Sequence, residues 1–157
     1  LMADLALRFS CQAKQEGKEL TLSGDCALRL FCDREWMLEA LGNIVKNALD
    51  HTKSGDFVQI EWRRSASMIQ LSVRDSGFGI HPEDLPHIFR RFYRSRFSED
   101  KQGAGLGLPL AKAIIEAHNG TIEADSQLGR GTSFVVNFLP LNDNITFPSN
   151  STETRNG

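Results

Sequence analysis

At 157 residues the chain has the length of one ordinary domain with a substantial core. Its 18 basic and 20 acidic residues leave a net charge of −2, which removes the uniform positive field that nucleic acid or an anionic membrane surface would call for. No run reaches the roughly 20 consecutive apolar residues of a membrane span, so the chain is expected to stay outside the bilayer, and Cys11, Cys26 and Cys32 lack zinc or disulfide spacing and read as thiols of a reducing compartment.

The first residues, Leu1-Met2-Ala3-Asp4, run straight into an amphipathic pattern, and the chain reads as a piece of a longer protein. Leu5, Phe9 and Ala13 recur at helical spacing up to Gly17, after which Leu20 and Leu22, then Leu28 and Leu30, alternate as a pair of short hairpin strands would. From Asp33, an N-cap residue, a helix is predicted over 34–51 with Leu38, Leu41, Val45 and Ala48 as its apolar stripe. Period-two alternation predicts strands over 57–63 and 68–75, joined by a polar turn around Ser65.

Residues 76–104 are rich in Gly, Pro, Arg, Ser and Phe, with one helical turn suggested over 83–89. So long an irregular segment in a compact domain reads as a lid or binding loop. A helix returns at Leu108, Ala111, Ile115 and His118 and is stopped by Asn119-Gly120. Strands follow over 121–125 and 132–139. The polar residues 141–157 are expected to form a disordered tail, and the Asn144 and Asn150 triplets carry no weight. This order of helices and mostly antiparallel strands predicts an α+β fold, a two-layer α/β sandwich with helices on one face of a mixed sheet.

Three glycine clusters and one polar helix face carry the chemistry. Glu39, Asn43, Asn47 and Asp50 are spaced by four, four and three residues, so they share a side of their helix away from the apolar stripe. Amide oxygens there suit magnesium on a polyphosphate, since they add no negative charge beside it; a plain solvated helix face is the competing reading. Asp75 falls on the buried side of its strand, where a carboxylate needs donors, and Ser76-Gly77-Phe78-Gly79 lets the chain turn sharply after it. Adenine's exocyclic amine would supply donors of that kind, although a loop cap would satisfy the same carboxylate.

Gly103-Ala104-Gly105-Leu106-Gly107 precedes the helix at Leu108, where free amides and the helix dipole favour an anion such as a triphosphate. No strand precedes this run and no Gly-Lys-Ser or Gly-Lys-Thr ends it, which excludes a dinucleotide fingerprint and a P-loop. Arg90, Arg91, Arg94, Arg96 and Lys101 alternate with Phe89, Phe92, Tyr93 and Phe97 in the long loop, where an arginine could stabilise a transferring phosphoryl group. None of His51, His81, His87 and His118 has metal-ligand spacing.

Jointly, residues 1–140 resemble the ATP-binding catalytic domain of sensor histidine kinases. The likeness rests on Asn43-Ile44-Val45-Lys46-Asn47-Ala48, on Asp75 with Gly77 and Gly79, and on the aromatic motif Ile88-Phe89-Arg90-Arg91-Phe92-Tyr93-Arg94. Gly103 through Leu108 and Gly129-Arg130-Gly131-Thr132-Ser133-Phe134 complete it. The resemblance implies a Bergerat-type ATP fold with Asn43 and Asn47 on Mg2+, Asp75, Gly77, Gly79, Ile80 and Thr132 around adenine, and Gly103, Gly105, Leu106, Gly107 and Leu108 beside the phosphates. It places Phe92, Tyr93 and Arg94 in the ATP lid.

The sequence departs from the family pattern where a lysine and an aromatic usually follow the second asparagine. Asp50 and His51 stand there, still at the nucleotide by position, and Lys46, Lys53 and Arg94 are the candidates to replace the lysine. The family's phosphoacceptor histidine sits on a separate dimerisation domain, and no histidine of this chain has that setting. The resemblance therefore implies a piece that binds Mg-ATP and presents it to a histidine elsewhere. It further implies a cognate response regulator and a cytoplasmic position in a bacterial inner-membrane sensor.

The rival readings are a hydrolytic ATPase like those of gyrase, mismatch-repair proteins and chaperones, a serine kinase of the anti-sigma type, and a degenerate scaffold. The first two place a glutamate base where this chain has Asn43, with Glu39 one turn further away. The retained glycines and asparagines weigh against the third.

Overall fold

The computed structural model describes residues 1–95 and 106–140. Helix α1 (Met2–Gln15) leads through Gly17 into strand β1 (Glu19–Gly24), and helix α2 (Arg34–Asp50) follows. Strands β2 (Phe57–Arg64) and β3 (Ile69–Asp75) come next. A 3₁₀ turn at Leu85–His87, helix α3 (Gly107–Ala117) and strands β4 (Thr121–Gln127) and β5 (Gly131–Phe138) complete the chain.

Helix α2 starts where its cap predicts, because Asp33 Oδ1 accepts the Trp36 N–H at 3.0 Å and satisfies one of the unpaired donors of the first turn. Helix α3 ends through Asn119, whose φ of 58° reverses the chain so that the Gly120 N–H reaches Ile115 O at 2.9 Å. His118 ties the two helices together: its Nδ1–H donates to Ile114 O (2.7 Å) and its Nε2 accepts the Asp33 N–H (3.0 Å).

The sheet runs β1-β2-β3-β5-β4, with β1 parallel to β2 and every other pair antiparallel. Alternation along each strand gives the sheet one apolar side. Val58, Ile60, Ile69, Leu71, Val73, Phe134 and Val136 are buried there against Leu5, Phe9, Met37, Leu41, Ile44, Val45 and Ile115 of the three helices. Gln59, Arg74, Asp125 and Ser133 take the opposite, polar positions. This is the two-layer α+β sandwich that the element order predicts. Each fully buried Leu, Ile or Phe contributes roughly 1.5–3 kcal/mol, so the layer contact dominates stability.

The opening hairpin is a correction. Residues 28–30 form no strand; β1 is an edge strand whose partner is β2, reached through α2. Asp25 accounts for the difference: its Oδ1 accepts the Ala27 N–H (2.8 Å) and its carbonyl the Leu28 N–H (3.2 Å), turning the chain out of the sheet direction. Leu28 and Leu30 still pack on the core, which is why they alternate without belonging to a ladder. The expected tail, 141–157, lies outside the described residues. No helix among the described residues is long and apolar enough to cross a membrane.

Candidate functional site

The register brings one residue from each of four strands into a single row: Val58, Asp75, Thr132 and Ser126. The row is apolar at β2 and polar beyond it, so polar side chains lie at the end of the helix-covered face. Asp75 is 2% exposed and Thr132 4% exposed. Asp75 Oδ1 accepts the Gly77 N–H at 2.9 Å. Burial holds its carboxyl above the ordinary carboxylate value, partly offset by backbone hydrogen bonds from Gly77 and Thr132 and by the nearby His51 ring. A carboxylate raised in this way gains from any further donor brought to it.

The turn after Asp75 is locked to the end of α2. The Phe78 N–H donates to His51 O (3.2 Å), and a Cβ on Gly77 would stand 1.9 Å from that same oxygen. Gly131 has φ of 111°, and a Cβ there would lie 2.0 Å from Asp75 O. Only glycine fits either place. Gly77→Ala is therefore expected to push apart α2 and the Asp75 turn and to destabilise the domain by about 3 kcal/mol, read as a fall in the denaturant midpoint. Gly55→Ala, with nothing near its Cβ, serves as the comparison for an exposed left-handed glycine.

His51 caps α2. Its Nδ1–H donates to Asn47 O at 2.7 Å and its ring lies 5.2 Å from that of Phe78. The imidazole thus closes the helix end beside Asp75, so a phosphate contact from this position has only Nε2 to offer.

Asn43 and Asn47 sit one above the other on α2. A Cβ on Gly107, the first residue of α3, would lie 3.6 Å from Asn43 Oδ1, so the Asn43 amide faces the start of that helix. Asn43 Nδ2 is a buried donor with no hydrogen-bond partner among the described residues. Asn43 also borders a groove between α1 and α2 lined by Arg8, Gln12, Glu39 and Lys46. Lys46 is thereby placed in a groove with Asn43, while Lys53 is exposed beyond the helix end and Arg94 is exposed in the loop.

The aromatic motif is anchored from within. Tyr93 Oη donates to Asp84 Oδ1 at 2.7 Å, Ser95 Oγ donates to Asp84 Oδ2, and the His87 ring lies 5.2 Å from Tyr93. Phe89 meets Phe134 edge-on at 6.3 Å, under Lys112 Nζ at 5.2 Å from its centroid. Phe92 is 70% exposed with φ of 63°, an unfavourable conformation for an aromatic residue. Gly103 and Gly105 lie outside the described residues; Leu106 precedes α3, and Leu108 packs against the core.

Asp84 and Ser126 were not singled out from sequence. Asp84 gives no periodic signal. Ser126 does give one, because it continues the inward positions of Ile122 and Ala124 and is polar where they are not.

A buried carboxylate at a strand end, a glycine turn fixed against a helix, and an asparagine facing a second helix's N-terminus are the features of a nucleotide-binding domain. The profile described as the histidine kinase-, DNA gyrase B- and HSP90-like ATPase matches residues 32–143, and the chain belongs to that family. It is 37% identical over 139 residues to the sensor protein SrrB of Staphylococcus aureus, an alignment covering 87% of this chain and 24% of SrrB. The chain thus spans about a quarter of the length of that curated relative.

Among solved structures, the catalytic domain of the histidine kinase ThkA superposes with a TM-score of 0.76 at 24% identity, covering 87% of this chain and 90% of that one, a likeness of fold. Full-length ShkA in complex with AMPPNP gives 0.72 at 26% identity, covering 86% of this chain and 28% of that one. The domain is of the ATP-binding histidine-kinase type.

Proposed function

We propose that this domain binds Mg-ATP and donates its γ-phosphoryl group to a histidine on a separate helical dimerisation domain, as the catalytic part of a two-component sensor. The observation that carries the reading is the buried Asp75 carboxylate beside the glycine turn, together with Asn43, whose buried amide nitrogen has no partner among the described residues. Relatives named as sensor proteins and a solved relative holding an ATP analogue support it.

In this reading adenine sits against Asp75, Thr132 and the Gly77–Gly79 turn with Ile80. The triphosphate runs past Asp50 and His51 to Gly103, Gly105, Leu106, Gly107 and Leu108, where the α3 amides favour negative charge. Phe92, Tyr93 and Arg94 border it from the loop. Asn43 and Asn47 would hold magnesium through their side-chain oxygens. Their neutral amide oxygens would suit an ion that takes oxygen ligands and retains several waters, while Asn43 Nδ2, a donor without a partner among the described residues, suits a phosphate oxygen rather than the metal. Magnesium, when bound, offsets phosphate charge and polarises the transferring group.

The protein's own part is positioning. Asp75 fixes the base, the α3 N-terminus draws the polyphosphate, and Lys46, Lys53 or Arg94 takes the place of the family lysine that Asp50 displaces. A bond forms between the acceptor imidazole nitrogen and γ-phosphorus, the bond to the β,γ-bridging oxygen breaks, and ADP leaves. In this reading the ATP-binding unit comprises 1–140, which the core shared by α1 and β5 supports. A membrane-anchored parent and a cognate response regulator belong to the same proposal.

Asn43 stands where hydrolytic relatives place a glutamate base, which favours a protein acceptor over water. Mixing this domain with the histidine-bearing domain of its own sensor and γ-labelled ATP is expected to give acid-labile, alkali-stable phosphoprotein. Release of inorganic phosphate alone, with no label on the protein, would replace the kinase reading by hydrolysis.

A further inference from the structure

Ser126 accounts for the orientation of the hydroxyl beside the proposed base site. Three groups surround its Oγ: the Ile80 N–H at 2.7 Å, Gly131 O at 3.1 Å and Thr132 Oγ1 at 2.9 Å. A hydroxyl has one proton and two lone pairs. The Ile80 N–H can only donate and Gly131 O can only accept, so the single Ser126 proton goes to Gly131. The arrangement that satisfies all three contacts at once has Thr132 donating its own proton into the remaining lone pair. All three valences of Ser126 are filled.

Two consequences follow for the neighbouring groups. The Thr132 proton is committed within the protein, so Thr132 Oγ1 turns only lone pairs toward any ligand. The chain immediately after Gly79 is held to β4 through Ile80, which fixes the turn that follows Asp75. Thr132 lies directly across from Asp75 in the β3–β5 register. The pocket edge therefore presents two adjacent acceptors and no hydroxyl donor from Thr132.

We propose that Ser126 is a specificity-determining positioning residue: by consuming the Thr132 proton and anchoring Ile80, it keeps this edge acceptor-only, matched to the exocyclic amine of adenine and opposed to the carbonyl oxygen of guanine. The inference rests on the nucleotide reading of the site. A hydroxyl free to rotate would donate to guanine O6 as readily as it accepts from adenine, so loss of Ser126 relaxes base choice as well as affinity.

The test is the ratio of dissociation constants for non-hydrolysable GTP and ATP analogues with magnesium, measured by calorimetry. Ser126→Ala is expected to lower that ratio about tenfold, the worth of one hydrogen bond to a ligand group. Ser126→Thr, which retains the hydroxyl, is expected to restore it. In a Thr132→Val background Ser126→Ala is expected to change the ratio less than it does in the wild type, because no proton remains to orient and only the Ile80 anchor is lost. Ser126→Cys, nearly isosteric and a weak acceptor, gives the same direction if the alanine variant does not fold.

A folded Ser126→Ala or Ser126→Cys protein with the wild-type ratio overturns the inference, provided Asp75→Asn loses adenine binding in parallel. If Asp75→Asn also binds as wild type, the base-site reading itself falls and takes this inference with it.

Discussion

Asp75→Asn is expected to lower affinity for Mg-ATP about 100-fold while leaving the unliganded domain at least as stable as the wild type. The two effects have one cause. Burial raises the Asp75 carboxyl above its ordinary value near 3.8, so the folded protein holds this proton more tightly than the unfolded chain does. Between the unfolded and folded values, stability declines as pH rises, and the deficit persists at neutral pH. An asparagine carries no charge to bury and its Oδ1 can still accept the Gly77 N–H, so the apo fold loses nothing.

With ligand the sign reverses. Adenine's amine donates to a carboxylate, whereas an asparagine that turns its NH2 outward opposes donor to donor. An unmatched buried pair costs roughly 2–3 kcal/mol, the basis of the 100-fold figure. The same linkage predicts that ATP affinity of the wild type declines as pH falls through the raised Asp75 value. Calorimetry across acid pH, with thermal melts of both apo proteins, reads the two halves separately. A variant that melts well below wild type would assign Asp75 a purely structural role.

Much of this arrangement is legible in the chain itself, for identifiable reasons. The α2 stripe, the Asp33 cap and the Asn119-Gly120 stop depend on local spacing, and local spacing survives folding. Asp75 could be placed inside because a strand's period of two carries its phase to the last residue. The hairpin at Leu20–Leu30 fails for the complementary reason. Alternation reports which side chains face the core, and Leu28 and Leu30 do face it, but it does not report whether the backbone is hydrogen-bonded to a neighbour. The partner of β1 is β2, more than thirty residues away, and no local pattern announces that.

The row Asp75-Thr132-Ser126 shows the same limit within the candidate site. Each member is an inward polar residue by alternation, yet their adjacency depends on the β3–β5–β4 register, which is long-range. Asp84 is buried by Tyr93 and Ser95, contacts that arise only when the loop folds back on itself. Residue identity announces the glycine turns; only geometry shows that a Cβ at Gly77 would strike His51 O.

Asn47→Ala is the second large effect expected, and it differs in kind because it acts through the metal. With magnesium present, nucleotide affinity is expected to fall about 100-fold, while affinity for magnesium-free ADP in chelator stays within about twofold of wild type, since no base contact is touched. Fold integrity is not at stake in the same degree: the bond closing α2 runs from His51 to the Asn47 backbone carbonyl, which alanine retains. Asn43→Ala should behave alike in the metal-dependent term, and it removes a buried amide nitrogen that has no partner among the described residues, so the apo domain should melt no lower. Titrating magnesium at fixed nucleotide separates this from general damage. A ligand residue shifts the magnesium midpoint, whereas a residue that only shapes the helix lowers binding equally with and without metal. Equal losses in both conditions would move the metal away from α2 and leave the asparagines as a polar helix face.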